Sequence, residues 1–495
     1  MPKDTAVTLS ALLEELLQSP LPIRLRAWDG SVADPTARPS RPPTPRAAPS
    51  SSPTGTLSPT VAPGSAGEPT SLTSPTSPTS PTSPTSPGEP GEPGEPGEPG
   101  EPGEPGELIV RNRRALRRLL WQPNELGLAR AYVSGDLDVE GDLYALLNRL
   151  AALLWEAPPD VTAHKRATSL RSIAGDLIRV GAVGLPPKPP PEEITLSGTR
   201  HSRRRDRTAI SHHYDVGNDF YRIVLGESMV YSCAYWISDA PGYGLADAQR
   251  DKLDLICRKL DLRPGMRLLD VGCGWGALAM HAARNYGVRV VGITLSAEQA
   301  DYARKQVADA GLIGQVDIRV QDYRDLNDGP FDAIASVGMA EHVGTAPYAD
   351  YAAILFAQLK PGGRLLNHQI AAIHPTPKQR KKRSFIDAYV FPDGELAPLG
   401  TTVSLLEEAG FEVRDVQTLR EHYARTLRVW VANLESQWQK AVSLTSRGRA
   451  RVWRLYMAAS ALAFEKAHIG VNQILAVKTL PTGASNIPPT RPTWT

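Results

Sequence analysis

The chain has 495 residues, a formal net charge of +2 and three cysteines. The length allows two or three domains, and near-neutral bulk charge argues neither for nor against a polyanion; no nucleic-acid partner is expected. Cys233, Cys257 and Cys273 form no CxxC pair and exclude a disulfide framework, and no apolar stretch approaches the ~20 residues that span a bilayer.

In chain order, Ala11 to Leu17 predicts a short amphipathic helix, because charges interrupt the apolar run where a signal-peptide core would be continuous. The expected location is therefore cytoplasmic, with reduced thiols and any membrane contact peripheral, on the inner face. Pro22 to Trp28 alternates apolar and basic residues like a half-buried strand, and Asp29-Gly30 signals a turn. Residues 32–106 are almost wholly Pro, Ser, Thr, Gly, Ala and Glu, so they cannot bury enough surface to offset their ordering entropy. Their Thr-Ser-Pro triplets from Thr73 and Gly-Glu-Pro triplets from Gly88 predict a stiff, solvated spacer rather than collagen. Leu108-Ile109-Val110 resumes the apolar pattern, so the tract reads as an insertion between two strands of one small domain. Helical patterns follow over Arg111–Leu120, Glu125–Tyr132 and Gly141–Trp155, and the proline run from Leu185 to Pro191 marks a linker.

From about residue 208 to 395, β-branched runs alternate with helical patterns, the mark of an α/β domain with a mostly parallel sheet. Another helix, a strand over Phe411–Val416 and long helices continue to about residue 478. The expected organisation is a small, mainly helical, lipid-associated N-terminal domain (1–31 and 107–184), a disordered insertion (32–106), a linker (185–207), a catalytic α/β domain (208–480) and a flexible tail (481–495).

Arg267 to Val271 is an apolar strand carrying Asp270, followed by the glycine turn Gly272-Cys273-Gly274-Trp275-Gly276 and a helix over about Ala277–Asn285. Glycines there allow a sharp turn and close approach of a ligand. The next strand, Val288–Ile293, ends in Thr294-Leu295-Ser296 with no acid for a dinucleotide ribose. The turn instead resembles motif I of class I S-adenosylmethionine methyltransferases, which implies a Rossmann-like domain.

Further stretches narrow the resemblance to the cyclopropane fatty acid synthases and mycolic acid methyltransferases, over about residues 200–478. They are Gly292–Gln299, Gln321–Leu326, His213–Tyr221, Tyr231–Trp236, Ser336–Gly344 and His422–Leu427. The tract at 32–106 has no expected counterpart in that family. The resemblance implies that S-adenosyl-L-methionine is held by Tyr231, Ser232, Asp270, Gly272, Gly274, Gly276, Thr294, Leu295, Gln299, Asp322 and Tyr323. Gln299 would reach the ribose, Asp322 would accept from the adenine amine and Tyr323 would pack on the ring.

In that family a sulfonium methyl is passed to an acyl-chain double bond, and a base then removes a proton from the new methyl so that the ring closes. The resemblance implies a bound bicarbonate as that base, held by Cys233, Glu341, His368 and Tyr423 with backbone help near Cys233 and Ile370. His368 and Tyr423 would donate to the anion, and Glu341 would fix the bicarbonate proton or orient His368. Tyr235 and Trp236 are candidates for stabilising the cation. Alone, Cys233 reads as a small buried hydrophobe, and Glu341-His342 lacks the HExxH context of a metal site, so no metal is expected.

The partners implied are unsaturated phospholipids and, by family analogy, a second copy of the chain. Arg203-Arg204-Arg205 and the basic run 378–383 are candidate contacts with anionic headgroups, and Ser384–Pro392 a candidate lip over an acyl tunnel. The same site would serve methylene or methyl branching of the chain. A small-molecule methyltransferase, or an interaction protein acting through the Pro-rich tract, leaves most of these motifs unexplained.

Overall fold

A computed structural model describes residues 5–17, 20–35, 106–155, 174–214, 216–373 and 383–490. Residues 36–105 of the low-complexity tract, Asp215 and most of the basic run 378–383 lie outside the described residues; the start of the tract as read from composition, Val32–Ala33, is a strand and not part of a disordered insertion.

Near the N-terminus, four short strands form a mixed sheet: β1 (Leu25–Arg26), β2 (Val32–Ala33), β3 (Glu107–Val110) and β4 (Leu137–Glu140), in the order β2-β1-β3-β4. Strands from both sides of the tract thus share one sheet, β1 pairing with β2 antiparallel and with β3 parallel. The strand expected over 22–28 shortens to two residues. Helices Thr5–Leu17, Arg114–Trp121 and Ala174–Arg179 cover the sheet with a leucine-rich core that includes Leu9, Leu12, Leu116, Leu119 and Leu177.

The larger sheet has seven strands: β5 (Arg267–Val271), β6 (Arg289–Thr294), β7 (Val316–Val320), β8 (Phe331–Val337), β9 (Leu359–Ala372), β10 (Glu412–Thr418) and β11 (Ile469–Val477). Their order is β10-β11-β9-β8-β5-β6-β7, with β11 antiparallel to both neighbours and the rest of the pairs parallel. The central strands are buried runs such as Leu268–Val271 and Ala333–Ala335, as expected where helices cover both faces. Helices Leu245–Lys259, Ala277–Tyr286 and Ala297–Asp309 pack on one face, and Tyr348–Gln358 and Leu399–Glu408 on the other. β5 pairs with β6 on one side and β8 on the other, so the chain reverses direction across the sheet there. The crevice beyond the C-terminal ends of β5 and β8 is where such sheets bind ligands.

Two long helices, Arg420–Ser436 and Arg447–Glu465, complete the molecule. Arg447–Glu465 carries the N-terminal region: Arg451 donates to the carbonyls of Tyr132 and Leu137 at 2.9 and 3.1 Å and pairs with Asp138 at 3.0 Å. Leu126, Ala129, Val133 and Leu143 join the same apolar core as Val452, Trp453 and Met457. The segment read as a linker is also engaged. Glu193 takes a forked pair of bonds from Arg130, each 2.7 Å, and the residues from Arg203 already belong to helix Arg203–Tyr214. Of the expected tail, Asn486 is docked through its carbonyl on Arg364 at 3.2 Å.

Candidate active site

Gly272, Gly274 and Gly276 all adopt positive φ (77°, 54° and 84°), a region that costs L-residues energy. The turn is pinned to the neighbouring strand, because the N–H groups of Gly272 and Cys273 both donate to the carbonyl of Ile293 at 2.9 Å. A cleft of about 970 Å³ opens over it. Asp270, Gly272, Gly274, Thr294, Leu295, Gln299, Tyr323, Tyr231 and Ser232 all line that cleft, so nine of the eleven predicted cofactor residues come together.

The other two are turned elsewhere. Asp322 directs both carboxylate oxygens to Arg324, which pairs in turn with Asp206 of helix Arg203–Tyr214 at 3.0 Å. Gly276 has a packing reason to be glycine: a Cβ there would sit 3.0 Å from Cβ of Ala303. A Cβ on Gly274 would point at Gln299, whose amide lies 4.0 Å away. Gln299 is itself held, with Thr294 Oγ1 donating to its side-chain oxygen at 2.9 Å and Ser296 capping its helix. Trp275 donates to Asn218 at 2.7 Å, which ties the His213–Tyr221 motif to the glycine turn.

A second cavity, about 1230 Å³, adjoins the first through Tyr214, Tyr231, Ser232, Gly338 and His342. Cys233, Glu341, His368, Ile370 and Tyr423 all line it, from four separate chain segments. Glu341 Oε1 accepts the Ile370 N–H at 2.7 Å, and its buried Oε2 has no partner among the described residues. Burial pushes the Glu341 carboxyl up to about 7. His368 sits inside β9 and is 2% exposed; burial holds its pKa down at about 3, so the ring is neutral at physiological pH. Its Nδ1 faces the Gln473 amide at 3.2 Å, and Nε2 has no partner among the described residues. With Gln473 donating to Nδ1, Nε2 carries the proton and offers it to the cavity. The Cys233 thiol contacts the carbonyls of Ala234 and Leu419, and burial raises its pKa, so it stays a thiol. The Ile370 N–H expected to help hold an anion is thus already taken by Glu341, and the group that orients His368 is Gln473.

Besides Tyr423, the phenyl and phenol rings lining this cavity belong to Tyr214, Tyr231, Phe391, Tyr456 and Phe464. Tyr235 and Trp236 do not line it: Tyr235 packs on His422, and Trp236 lies under the Arg425 guanidinium, 4.1 Å from its ring centre. Of the arginine cluster, Arg203 pairs with Asp325 and Arg205 with Asp393.

The family model described as mycolic acid cyclopropane synthetase matches residues 201–474, more than half of the chain. The chain belongs to the mycolic acid cyclopropane synthetase family. A probable fatty acid methyltransferase of Mycobacterium tuberculosis is 44% identical over 397 residues, covering 78% of this chain and 90% of its own. The cyclopropane-fatty-acyl-phospholipid synthase of Escherichia coli strain K12 is 38% identical over 296 residues, 59% of this chain and 74% of its own. Among solved structures, a mycolic acid cyclopropane synthase complexed with SAH and CTAB superposes with a TM-score of 0.51 at 35% identity, covering 55% of this chain and 97% of that one. As a member of this family, the chain is an S-adenosylmethionine-dependent methyltransferase of the cyclopropane synthase type that modifies lipid acyl chains.

The cofactor cleft also has a buried polar backing that motif reading missed. Lys252 is 1% exposed and donates to Ser232 Oγ at 2.8 Å, while Gln249 donates to the Ser232 carbonyl at 3.0 Å. Lys252 faces Asp270, whose pKa burial raises to about 7 despite that cation, and whose Oδ2 has no partner among the described residues. The available signal was periodicity: Gln249 and Lys252 fall on the same helical stripe as Leu253 and Ile256, where a polar residue needs a buried partner.

This backing predicts a pH effect. A carboxyl whose folded pKa is raised binds more protons folded than unfolded between about pH 4 and 7, so its contribution falls as pH rises through that window. Asp270→Asn should therefore gain stability relative to the parent as pH rises from about 4 to 7, by up to roughly 1.4 kcal/mol for each pH unit crossed, and then level off. Urea unfolding at stepped pH measures it; a difference that does not change with pH would contradict the assigned burial.

Proposed function

We propose that the chain transfers a methylene carbon from S-adenosylmethionine to the double bond of an unsaturated phospholipid acyl chain, closing a cyclopropane ring at a membrane surface. The observation that carries this is the second cavity. It is mainly apolar, adjoins the cofactor cleft, and is lined by Glu341 and His368, whose Oε2 and Nε2 are buried and unpartnered among the described residues; an anion that carries a proton, as bicarbonate does, would donate to the first and accept from the second.

S-adenosylmethionine in the glycine-lined cleft supplies an electrophilic methyl. The alkene π pair forms the new C–C bond, the sulfonium sulfur keeps the C–S pair, and a cation appears on the neighbouring chain carbon. A proton then leaves the new methyl, and its C–H pair closes the ring. Tyr214, Tyr231, Phe391 and Tyr456 line the cavity in which that cation would form, and their rings are the groups available to stabilise it. Glu341, His368 and Tyr423 are the residues that would hold a bicarbonate, which would supply the proton acceptor. Neutral His368 and the Tyr423 hydroxyl, whose pKa burial raises, are donors to it at neutral pH.

Phospholipid as the substrate class is supported by the name of the Escherichia coli relative, whose own length exceeds the catalytic match. Among the described residues no helix is long and apolar enough to cross a membrane, so contact with lipid is proposed to be peripheral. A second reading, methyl or methylene branching of the same chain, is favoured by the names of the mycobacterial and Pseudomonas putida relatives as fatty acid methyltransferases.

Purified protein offered monounsaturated phospholipid vesicles or the free fatty acid should modify the phospholipid. Gas chromatography of the released acyl chains should show a product one methylene heavier that resists ozonolysis. A product cleaved by ozone would establish branching instead, and turnover of the free acid alone would refute the phospholipid reading.

A further inference from the structure

A third cavity, about 1400 Å³, lies against the second and shares Ser384, Ile386, Leu396, Ser460 and Ile469 with it. One wall comes from the N-terminal region, with Leu128, Leu143, Leu147 and Leu150; the other comes from helix Arg447–Glu465, with Leu455 and Ala459. The lining is almost wholly apolar. Its carboxylate, Glu125, accepts the Phe385 N–H at 3.2 Å, and none of the groups placed around the reacting double bond reaches it. The N-terminal wall stands outside the 201–474 span of the family match. All the residues lining the second cavity fall within that span, and the third cavity, of similar size, opens from the same rim.

The geometry points to the third cavity as the seat of the second, non-reacting hydrocarbon chain of a two-chain lipid. The headgroup stays at the shared rim, the unsaturated chain enters the cavity of Glu341 and His368, and its sister chain lies between the N-terminal helices and Leu455. Apolar burial favours the sister chain there in proportion to its length. This assignment rests on the phospholipid reading above and adds a requirement for two chains.

The test compares a diacyl phospholipid with the monoacyl lysophospholipid carrying the same monounsaturated chain, both in neutral detergent micelles. Ala459→Trp fills the third cavity from helix Arg447–Glu465, and Leu147→Phe narrows it from the N-terminal wall. Each should lower kcat/KM for the diacyl lipid by about tenfold or more and leave the monoacyl lipid unchanged. Equal loss on both lipids, or no loss on either, would overturn the assignment. If the unaltered protein turns over neither lipid, it is the phospholipid reading that fails. Should a variant not bind S-adenosylhomocysteine in calorimetry, and so not fold, the unaltered protein is photolabelled with a diacyl lipid bearing a diazirine on its saturated chain. Label on peptides containing Leu147 or Leu455 supports the assignment, and label confined to the Tyr423 cavity or the outer surface overturns it.

Discussion

Glu341→Gln should lower turnover by ~10²–10⁴-fold, the range of a general-base contribution, while leaving S-adenosylmethionine affinity unchanged. The amide keeps the size of the side chain and still accepts the Ile370 N–H, now 2.7 Å from Glu341 Oε1. What it removes is the ionisable Oε2 in the second cavity. Cofactor binding should survive because Glu341 does not line the glycine cleft. Degassed, bicarbonate-free buffer should slow the parent enzyme, and added bicarbonate should restore it; the variant should respond far less. Full activity of the variant in bicarbonate-free buffer would place the proton acceptor elsewhere.

Gly274→Val should reduce S-adenosylhomocysteine affinity by at least ~100-fold in a folded protein. Two costs combine. A β-branched residue at φ 54° is strained by roughly 1–2 kcal/mol. Its methyl groups would also project toward Gln299, into the space between the turn and that amide. Gly276→Ala is the informative contrast, because its Cβ meets Ala303 in the helix layer and not the cleft. That variant should lose stability and keep affinity. Isothermal calorimetry and urea unfolding separate the two; unchanged affinity in Gly274→Val would mean that the cofactor does not lie over this turn.

The parts of this site that were legible in the sequence are those carried by contiguous signals. Arg267–Gly276 announces a buried strand and a glycine turn through local chemistry alone, and the structure places that turn at the sheet's switch point. Gln299 and Thr294 were singled out through the resemblance of Gly292–Gln299 to the family, and both line the cleft over that turn. The Arg324 partner of Asp322 was not legible, because a loop acid reads the same with or without an arginine turned onto it two residues on. The orientation of Tyr235 and Trp236 was hidden for a related reason: outside a strand, alternation does not say which residue faces inward.

Long-range partners were the least legible. His368 pairs with Gln473, which is 105 residues away and reaches it because β11 lies antiparallel against β9. In the N-terminal sheet, β1 and β3 were legible as strands in the alternation of Pro22–Trp28 and the apolar run Leu108–Val110, whereas β2, two residues long, is too short for any period to register. Lys252 and Gln249 were visible as polar residues on an apolar stripe, yet their partner Ser232 lies on a separate segment that only the fold brings near.

The most direct test of the central claim is incubation of the purified protein with monounsaturated phospholipid vesicles and S-adenosylmethionine deuterated in its methyl group, followed by mass spectrometry of acyl chains and headgroups. The account predicts label in the acyl chain, with one deuterium of the methyl lost, the double bond consumed and the product resistant to ozone. Acyl chains that retain their double bond, or label found on the headgroup instead, would contradict it.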